Sequence, residues 1–286
     1  MGVEILLSKP SLQFVLVLYR QTWPAVASNK LLSTFLREYP GNHLLIIDNS
    51  PEMQDVPIVG EANITYQQYP ENPGLAPAYN LALAEASKHH HDWLVLLDQD
   101  TTLTEDYLAA ILTDKQPLDE VVCRVPQMFA NQKQISPLLA DAYIDRHWHC
   151  PPIGVTNRRV MAINSASVWR VNFLEKIGGF SLEFPLDFLD HWLFYQVHVH
   201  HKKIEVLPIC LEHDLSVLHY QTMTIERYQS ILAAEARYYT EVEIEKKQRH
   251  LQQLQRRTIK QFLSVGNRSI WRATWKSYQN LRRKRK

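Results

Sequence analysis

Near the N-terminus, Leu12 to Tyr19 (Leu-Gln-Phe-Val-Leu-Val-Leu-Tyr) is an apolar run of strand length, which reads as a buried β-strand. Val26, Leu31, Leu32, Phe35 and Leu36 then recur at helical spacing between Ala25 and Tyr39, and Pro40-Gly41 stops that helix. His43 to Ile47 is a second strand, ending in the polar turn Asp48-Asn49-Ser50-Pro51, and Asn63 to Gln68 is a third. Asn72-Pro73-Gly74 turns the chain into an alanine-rich helix over Ala76 to Lys88, and Trp93 to Leu97 forms the next strand. Strands alternating with helices in this way imply a mainly parallel sheet, with ligands at the carboxyl ends of its strands.

Further along, a helix is expected from Thr104 to Thr113, starting at a capping threonine with acidic residues in its first turn, and Val121 to Val125 is a strand. Residues 126–160 are poorly periodic and rich in proline, which predicts a loop over the site. Val160 to Trp169 returns to a strand-like pattern, Val171 to Ile177 is a short helix stopped by Gly178-Gly179, Phe188 to His198 packs as a helix, and Ile204 to Leu207 is the last strand. From Thr224 onward the pattern is helical, divided at Gly266-Asn267.

The chain has 286 residues, 45% of them hydrophobic, enough for one α/β domain with an appendage. The longest apolar runs are too short to cross a bilayer, and the N-terminus lacks the pattern of an export signal. Cys123, Cys150 and Cys210 are scattered without CxxC spacing, so neither a disulfide framework nor a thiolate zinc site is indicated, and a reducing cytoplasm is the expected setting. The net charge of +1 conceals an asymmetry: residues 246–286 hold fourteen Lys or Arg and no Asp or Glu, so that segment carries +14 and the remainder −13. Such a block is drawn to polyanions, either anionic lipid or nucleic acid. Ile270, Trp271, Trp275, Tyr278 and Leu281 recur at helical spacing among the basic residues, the pattern of a helix lying on an anionic membrane; packing of the same helix on the domain is the alternative. Nucleic acid is ranked below both, because no RNA- or DNA-binding module is recognisable.

The most informative chemistry closes the Trp93 strand, where Asp98-Gln99-Asp100 places two carboxylates at a strand's carboxyl end. Oxygen ligands so placed suit Mg²⁺ or Mn²⁺, which keeps positions open for substrate phosphates. On its own an Asp-x-Asp triplet is weak evidence, since surface turns produce it often.

Its company changes that. Ile46-Ile47-Asp48-Asn49-Ser50 is followed by Asn72-Pro73-Gly74-Leu75-Ala76-Pro77-Ala78-Tyr79-Asn80, then Leu96-Leu97-Asp98-Gln99-Asp100, then Gly178-Gly179-Phe180-Ser181-Leu182-Glu183 running into Leu186-Asp187-Phe188-Leu189-Asp190-His191-Trp192, and finally Glu212-His213-Asp214. In this order the elements resemble the family 2 glycosyltransferases with a GT-A fold, especially the bacterial rhamnosyltransferase-like branch, over residues 12–220. The resemblance implies an α/β fold with a mixed, mainly parallel sheet flanked by helices. It also implies a domain over 1–223, with a nucleotide-sugar half at 1–103 and an acceptor half at 104–223, and a basic helical extension over 224–286.

It further implies a metal-dependent, inverting transfer of a sugar from a nucleoside diphosphate donor, with dTDP-rhamnose favoured, to a cell-surface polysaccharide or lipid-linked saccharide. Asp48, Asn72, Gly74, Asn80 and Asp98 would form the nucleotide-sugar site, Gly74 by letting the ligand approach closely. Asp98, Asp100 and His213 would hold Mn²⁺ or Mg²⁺, with His219 the rival to His213. Asp190 would be the general base and Asp187 would orient it or the acceptor. The setting implied is cytoplasmic, at the inner face of the membrane. Departures exist: Tyr19-Arg20-Gln21 replaces the usual turn, Asn164-Ser165-Ala166 stands where relatives often have Ser-Gly, and His191-Trp192 and Gln196 replace acidic-motif partners. A nucleotidyltransferase and a catalytically silent binding protein on the same fold are the competing readings.

Overall fold

A computed structural model describes residues 10–52, 63–113, 120–144, 148–212 and 223–283. In chain order the elements are β1 Leu12–Leu18, α1 Asn29–Glu38, β2 His43–Asp48, β3 Ile64–Gln68, α2 Leu75–Lys88, β4 Trp93–Asp98, α3 Glu105–Ile111, β5 Val121–Ala130, β6 Lys133–Ser136, β7 Leu138–Leu139, β8 Gly154–Thr156, β9 Val160–Met161, β10 Ser167–Arg170, α4 Val171–Lys176, α5 Leu189–Val199, β11 Lys203–Glu212, α6 Ile225–Arg237, α7 Lys247–Ser264 and α8 Arg268–Arg283.

The main sheet runs β3-β2-β1-β4-β10-β5-β11-β8, with β6 paired to β5. β1 to β4 are mutually parallel where they pair, β10 is antiparallel to both β4 and β5, and β11 returns parallel to β5. The sheet is therefore mixed and mainly parallel. Every residue of β1 is buried, as a central strand covered on both faces requires. Alternation sorts the side chains: Val15, Val17, Leu94 and Leu96 pack with α2, α4 and α5, whereas Phe14, Leu16, Val95 and Leu97 pack with α1 and α3. The buried alanines of α2 (Ala76, Ala78, Ala82 and Ala86) present little bulk between that helix and the sheet.

The order reverses at β1, whose neighbours are β2 and β4. Register sets Leu18 against Asp48 and Val17 against Asp98, so the two acidic residues flank the end of β1 at the carboxyl edge, where open α/β sheets bind ligands.

Residues 126–160 are not a single loop: β5 runs on to Ala130 and β6, β7 and β8 fall within the segment. These strands are held by cross-strand pairing rather than by a local apolar repeat. The expected strand from Val160 to Trp169 is two, β9 and β10, separated by a turn in which Ala166 has φ 56°. Thr104 caps α3 as expected, accepting from the Tyr107 amide at 3.2 Å. The three C-terminal helices enclose a small core of their own from Tyr228, Leu232, Leu251, Leu254, Ile270 and Leu281. Among the described residues no helix is long and apolar enough to cross a membrane.

Candidate active site

Asp98 ends β4 with its side chain on the α2 side of the sheet, by the alternation that puts Leu94 and Leu96 there. The buried Tyr79 hydroxyl on α2 lies 3.5 Å from Asp98 Oδ1, and the Asp98 amide donates to Ser165 Oγ at 3.3 Å. Ser165 also bonds Thr101 Oγ1, and Ser28 Oγ donates to the Thr101 carbonyl at 2.8 Å. Gln99 bridges to the first strand, its Oε1 accepting from the Tyr19 amide at 2.8 Å. The Asp98–Asp100 turn is thus braced from three sides.

Burial pushes the Asp98 carboxyl up to about 7, the charge of Asp100 adds to this, and Asp190 contributes further. Three carboxylates from two elements therefore share one field: two at the end of β4 and one in the first turn of α5. Asp190 is half-buried, and its Oδ1 accepts from the His191 amide at 2.7 Å. Phe188, the residue before α5, holds a left-handed φ of 62° and stacks on His191 with ring centroids 4.5 Å apart. A bulky side chain at that φ is strained, a condition that concentrates at functional sites.

Gly74 precedes α2 with φ 99°, and a Cβ there would stand 2.5 Å from the Pro185 carbonyl oxygen. That carbonyl accepts from the Leu75 and Ala76 amides at 2.6 and 3.0 Å, satisfying donors that a helix start leaves open. Within the protein, what approaches Gly74 closely is the backbone of the 178–188 loop. Asn80 has a similar task, donating to the Phe180 carbonyl at 2.9 Å and accepting from the Phe180 amide at 2.8 Å. Its amide fastens the same loop to α2, and Asn72, at φ 46°, is exposed on the turn before α2.

Asp48 is fully buried; Oδ1 accepts from the Ser50 amide at 2.8 Å and Oδ2 from the Tyr66 hydroxyl at 2.7 Å. The first bond makes an Asx turn. Both carboxylate oxygens are thus engaged within the protein, and alternation places Asp48 on the α1 side of the sheet, opposite to Asp98. Asp187 is gripped by both terminal nitrogens of Arg227 from α6, and Arg237 from the same helix pairs with Glu183. His213 and His219 lie outside the described residues.

Several supports had no local signal: Tyr79, Ser165, Ser28 and Arg227 reach the site from 19 to 73 positions away in sequence. In the sequence Ser165 stands out only as a departure from the family pattern.

Among the described residues no group of three His, Cys, Asp or Glu side chains is close enough to hold a metal by itself. A hard divalent cation that keeps several waters and shares its shell with substrate phosphates needs only one or two carboxylates. Asp98 and Asp100 fit it, for burial and the neighbouring charge of Asp100, which together lift Asp98, are what a bound cation would offset.

A family model described as glycosyl transferase family 2 matches residues 21–174, more than half of the chain. The fold is similar to that of mannosyltransferase PcManGT from Pyrobaculum calidifontis, solved with GDP-Man and Mn²⁺, with a TM-score of 0.53 and 14% identity over 82% of this chain and 65% of that one. This chain thus spans less than two thirds of that enzyme. S. aureus TarS 1-349 gives a TM-score of 0.51 at 13% identity over 96% of this chain and 92% of that one, and its complex with UDP-GlcNAc gives 0.52 at 12% over the same shares. At these identities the likeness is one of fold, GT-A. Comparison with curated protein sequences returns no match.

Proposed function

We propose, from the premise that the chain belongs to glycosyl transferase family 2, that the cleft at the ends of β1 and β4 transfers a sugar from a nucleoside diphosphate to an acceptor hydroxyl with inversion. That the chain is a glycosyltransferase of GT-A fold follows from the family; donor, metal, acceptor and residue roles are our reading. The observation that supports it is that Asp98, at the end of β4, feels the charges of both Asp100, two residues on, and Asp190, in the first turn of α5.

In the reaction the acceptor oxygen attacks the anomeric carbon, the bond from that carbon to the diphosphate breaks, and its electron pair leaves with the nucleoside diphosphate. Asp190 takes the acceptor proton, on the face away from the leaving group. Asp98 and Asp100 would hold Mn²⁺ or Mg²⁺. Bound there, the cation would neutralise charge developing on the departing diphosphate. Tyr79 and Ser165 position Asp98, Gly74 and Asn80 hold the 178–188 loop, and Asp48 shapes the turn after β2 rather than touching the nucleotide.

The favoured donor is dTDP-rhamnose, by resemblance, and the acceptor a surface polysaccharide or lipid-linked saccharide. Solved relatives of the fold are titled with GDP-Man and UDP-GlcNAc, so a test must span bases and sugars. Residues 1–223 form the catalytic domain in this reading. The basic extension from residue 224 faces an anionic membrane on which the acceptor is presented. Incubation of the protein with a donor panel and Mn²⁺, reading released nucleoside diphosphate and glycosylated product, tests the reading. Nucleoside diphosphate release supports it, whereas pyrophosphate release would identify a nucleotidyltransferase.

A further inference from the structure

The helical extension does not present its apolar residues as one face. Ile270 and Leu281 of α8 turn inward onto α6 and α7, with Thr274 between them. Three exposed apolar residues cluster elsewhere, at the end of α7: Ile259 is 57% exposed, Phe262 50% and Leu263 77%, while Ile244, before α7, is exposed apart from them. Their spacing of three and four sets them on one side of that helix, while its buried side is formed by Leu251, Leu254, Thr258 and Gln261. Across the turn Trp271 meets Phe262 edge-on with centroids 5.3 Å apart, and further along α8 the 37% exposed Trp275 stacks on Tyr278 at 5.0 Å.

Cations cover this strip. The Arg268 guanidinium lies 5.3 Å over Phe262 and donates to the Phe262 carbonyl at 2.8 Å, and Arg272 lies 5.5 Å over Trp271. Arg256, Lys260, Lys276 and Arg282 are exposed on the same two helices, and the chain has no acidic residue after Glu245. An apolar tip with aromatic flanks and a belt of Arg and Lys is the composition of a segment seated at the headgroup level of a bilayer.

We infer that the α7–α8 turn is a membrane-docking tip, which inserts Ile259, Phe262 and Leu263 into the acyl boundary of an anionic bilayer while the surrounding Arg and Lys side chains meet lipid phosphates. The inference rests on the membrane reading above and narrows it from the whole basic extension to one turn. Charge selects the occupant: +14 over residues 246–286 demands an anionic partner. The aliphatic tip selects among anionic partners, because a nucleic acid offers Leu263 no apolar phase and a bilayer does. Arg227 and Arg237 then link this docked bundle to the 178–188 loop beside Asp190.

The test is co-sedimentation of the full chain with vesicles of phosphatidylglycerol and phosphatidylcholine, or of phosphatidylcholine alone, on wild type, Leu263→Asp and Ile259→Asp. Thermal unfolding checks that the variants fold. Wild type should bind only the anionic vesicles, and each variant should bind them at least ~10-fold more weakly with unchanged donor binding. Wild-type binding by both variants would overturn the tip while leaving the membrane reading in place. Failure of wild type to bind anionic vesicles, or preference for a duplex RNA over them, would overturn both.

Discussion

Asp187, two residues before α5, is held by Arg227 of α6 in a two-pronged ion pair, Nη2 donating to Oδ1 at 2.6 Å and Nη1 to Oδ2. The pair couples the C-terminal helices to the loop that delivers Asp190. Among the described residues, Arg227→Ala leaves the carboxylate, 12% exposed, with only a 3.5 Å contact from Ser230. Stability should fall by about 1–2 kcal/mol, and kcat should fall while donor affinity holds. Arg227→Lys should restore little, since an ammonium cannot reproduce the fork. Steady-state kinetics beside calorimetric donor binding checks the split; loss of donor affinity with kcat intact would contradict it.

Asp190→Asn should lower transfer by about 10²–10⁴-fold, the scale of a lost general base, with nucleotide binding retained. Product formation under saturating donor is the readout. Transfer at the wild-type rate would remove Asp190 as the base.

The glycines of the site are expected to differ in cost. Gly178 and Gly179 have φ near 80°, at 82° and 81°, but a Cβ on Gly178 meets nothing within 4 Å whereas one on Gly179 meets Asn80 Oδ1 at 2.4 Å. Gly178→Ala should cost about 1–2 kcal/mol of backbone strain. Gly179→Ala and Gly74→Ala should cost more, since the latter drives a methyl into the Pro185 carbonyl. Denaturant unfolding of the three variants gives the order.

Much of this was legible in the chain, and the reason is visible in β1, β2 and β4. Strands buried on both faces are nearly continuous apolar runs, and the aspartates that end β2 and β4 mark the sheet's carboxyl edge. β6 to β8 were not legible, being two to four residues long and stabilised by partners elsewhere in the chain. The order of the site motifs was readable, but which atoms they touch was not. Asp48, Gly74 and Asn80 read as ligand-facing residues, yet their partners are Ser50 and Tyr66, Pro185, and Phe180. For Gly74 and Asn80 those contacts come from a loop whose partner residues lie 111 and 100 positions away, beyond any local pattern.

Two buried histidines make the fold acid-sensitive. Burial, aided by the charges of His43 and His89, lowers His91 to about 4, and burial lowers His250 to about 4 as well. The unfolded chain takes up these protons near 6.5 and the folded chain does not until about 4, so the histidines' contribution is full above 6.5 and is lost as pH drops across that interval, while Asp98, raised to about 7, acts in the opposite sense and offsets part of it. Urea midpoints between pH 8 and 4 should show the decline, and His250→Gln should flatten it.

The central claim is that Asp98 and Asp100 form a metal-dependent site for a nucleoside diphosphate. Calorimetric titration of nucleoside diphosphates and their sugars, with and without Mn²⁺ or Mg²⁺, on wild type and Asp100→Ala tests it most directly. One nucleotide class should bind only with metal, and Asp100→Ala should abolish this binding in a folded protein. Metal-independent binding left intact by Asp100→Ala, or no binding of any member of the panel, would contradict it.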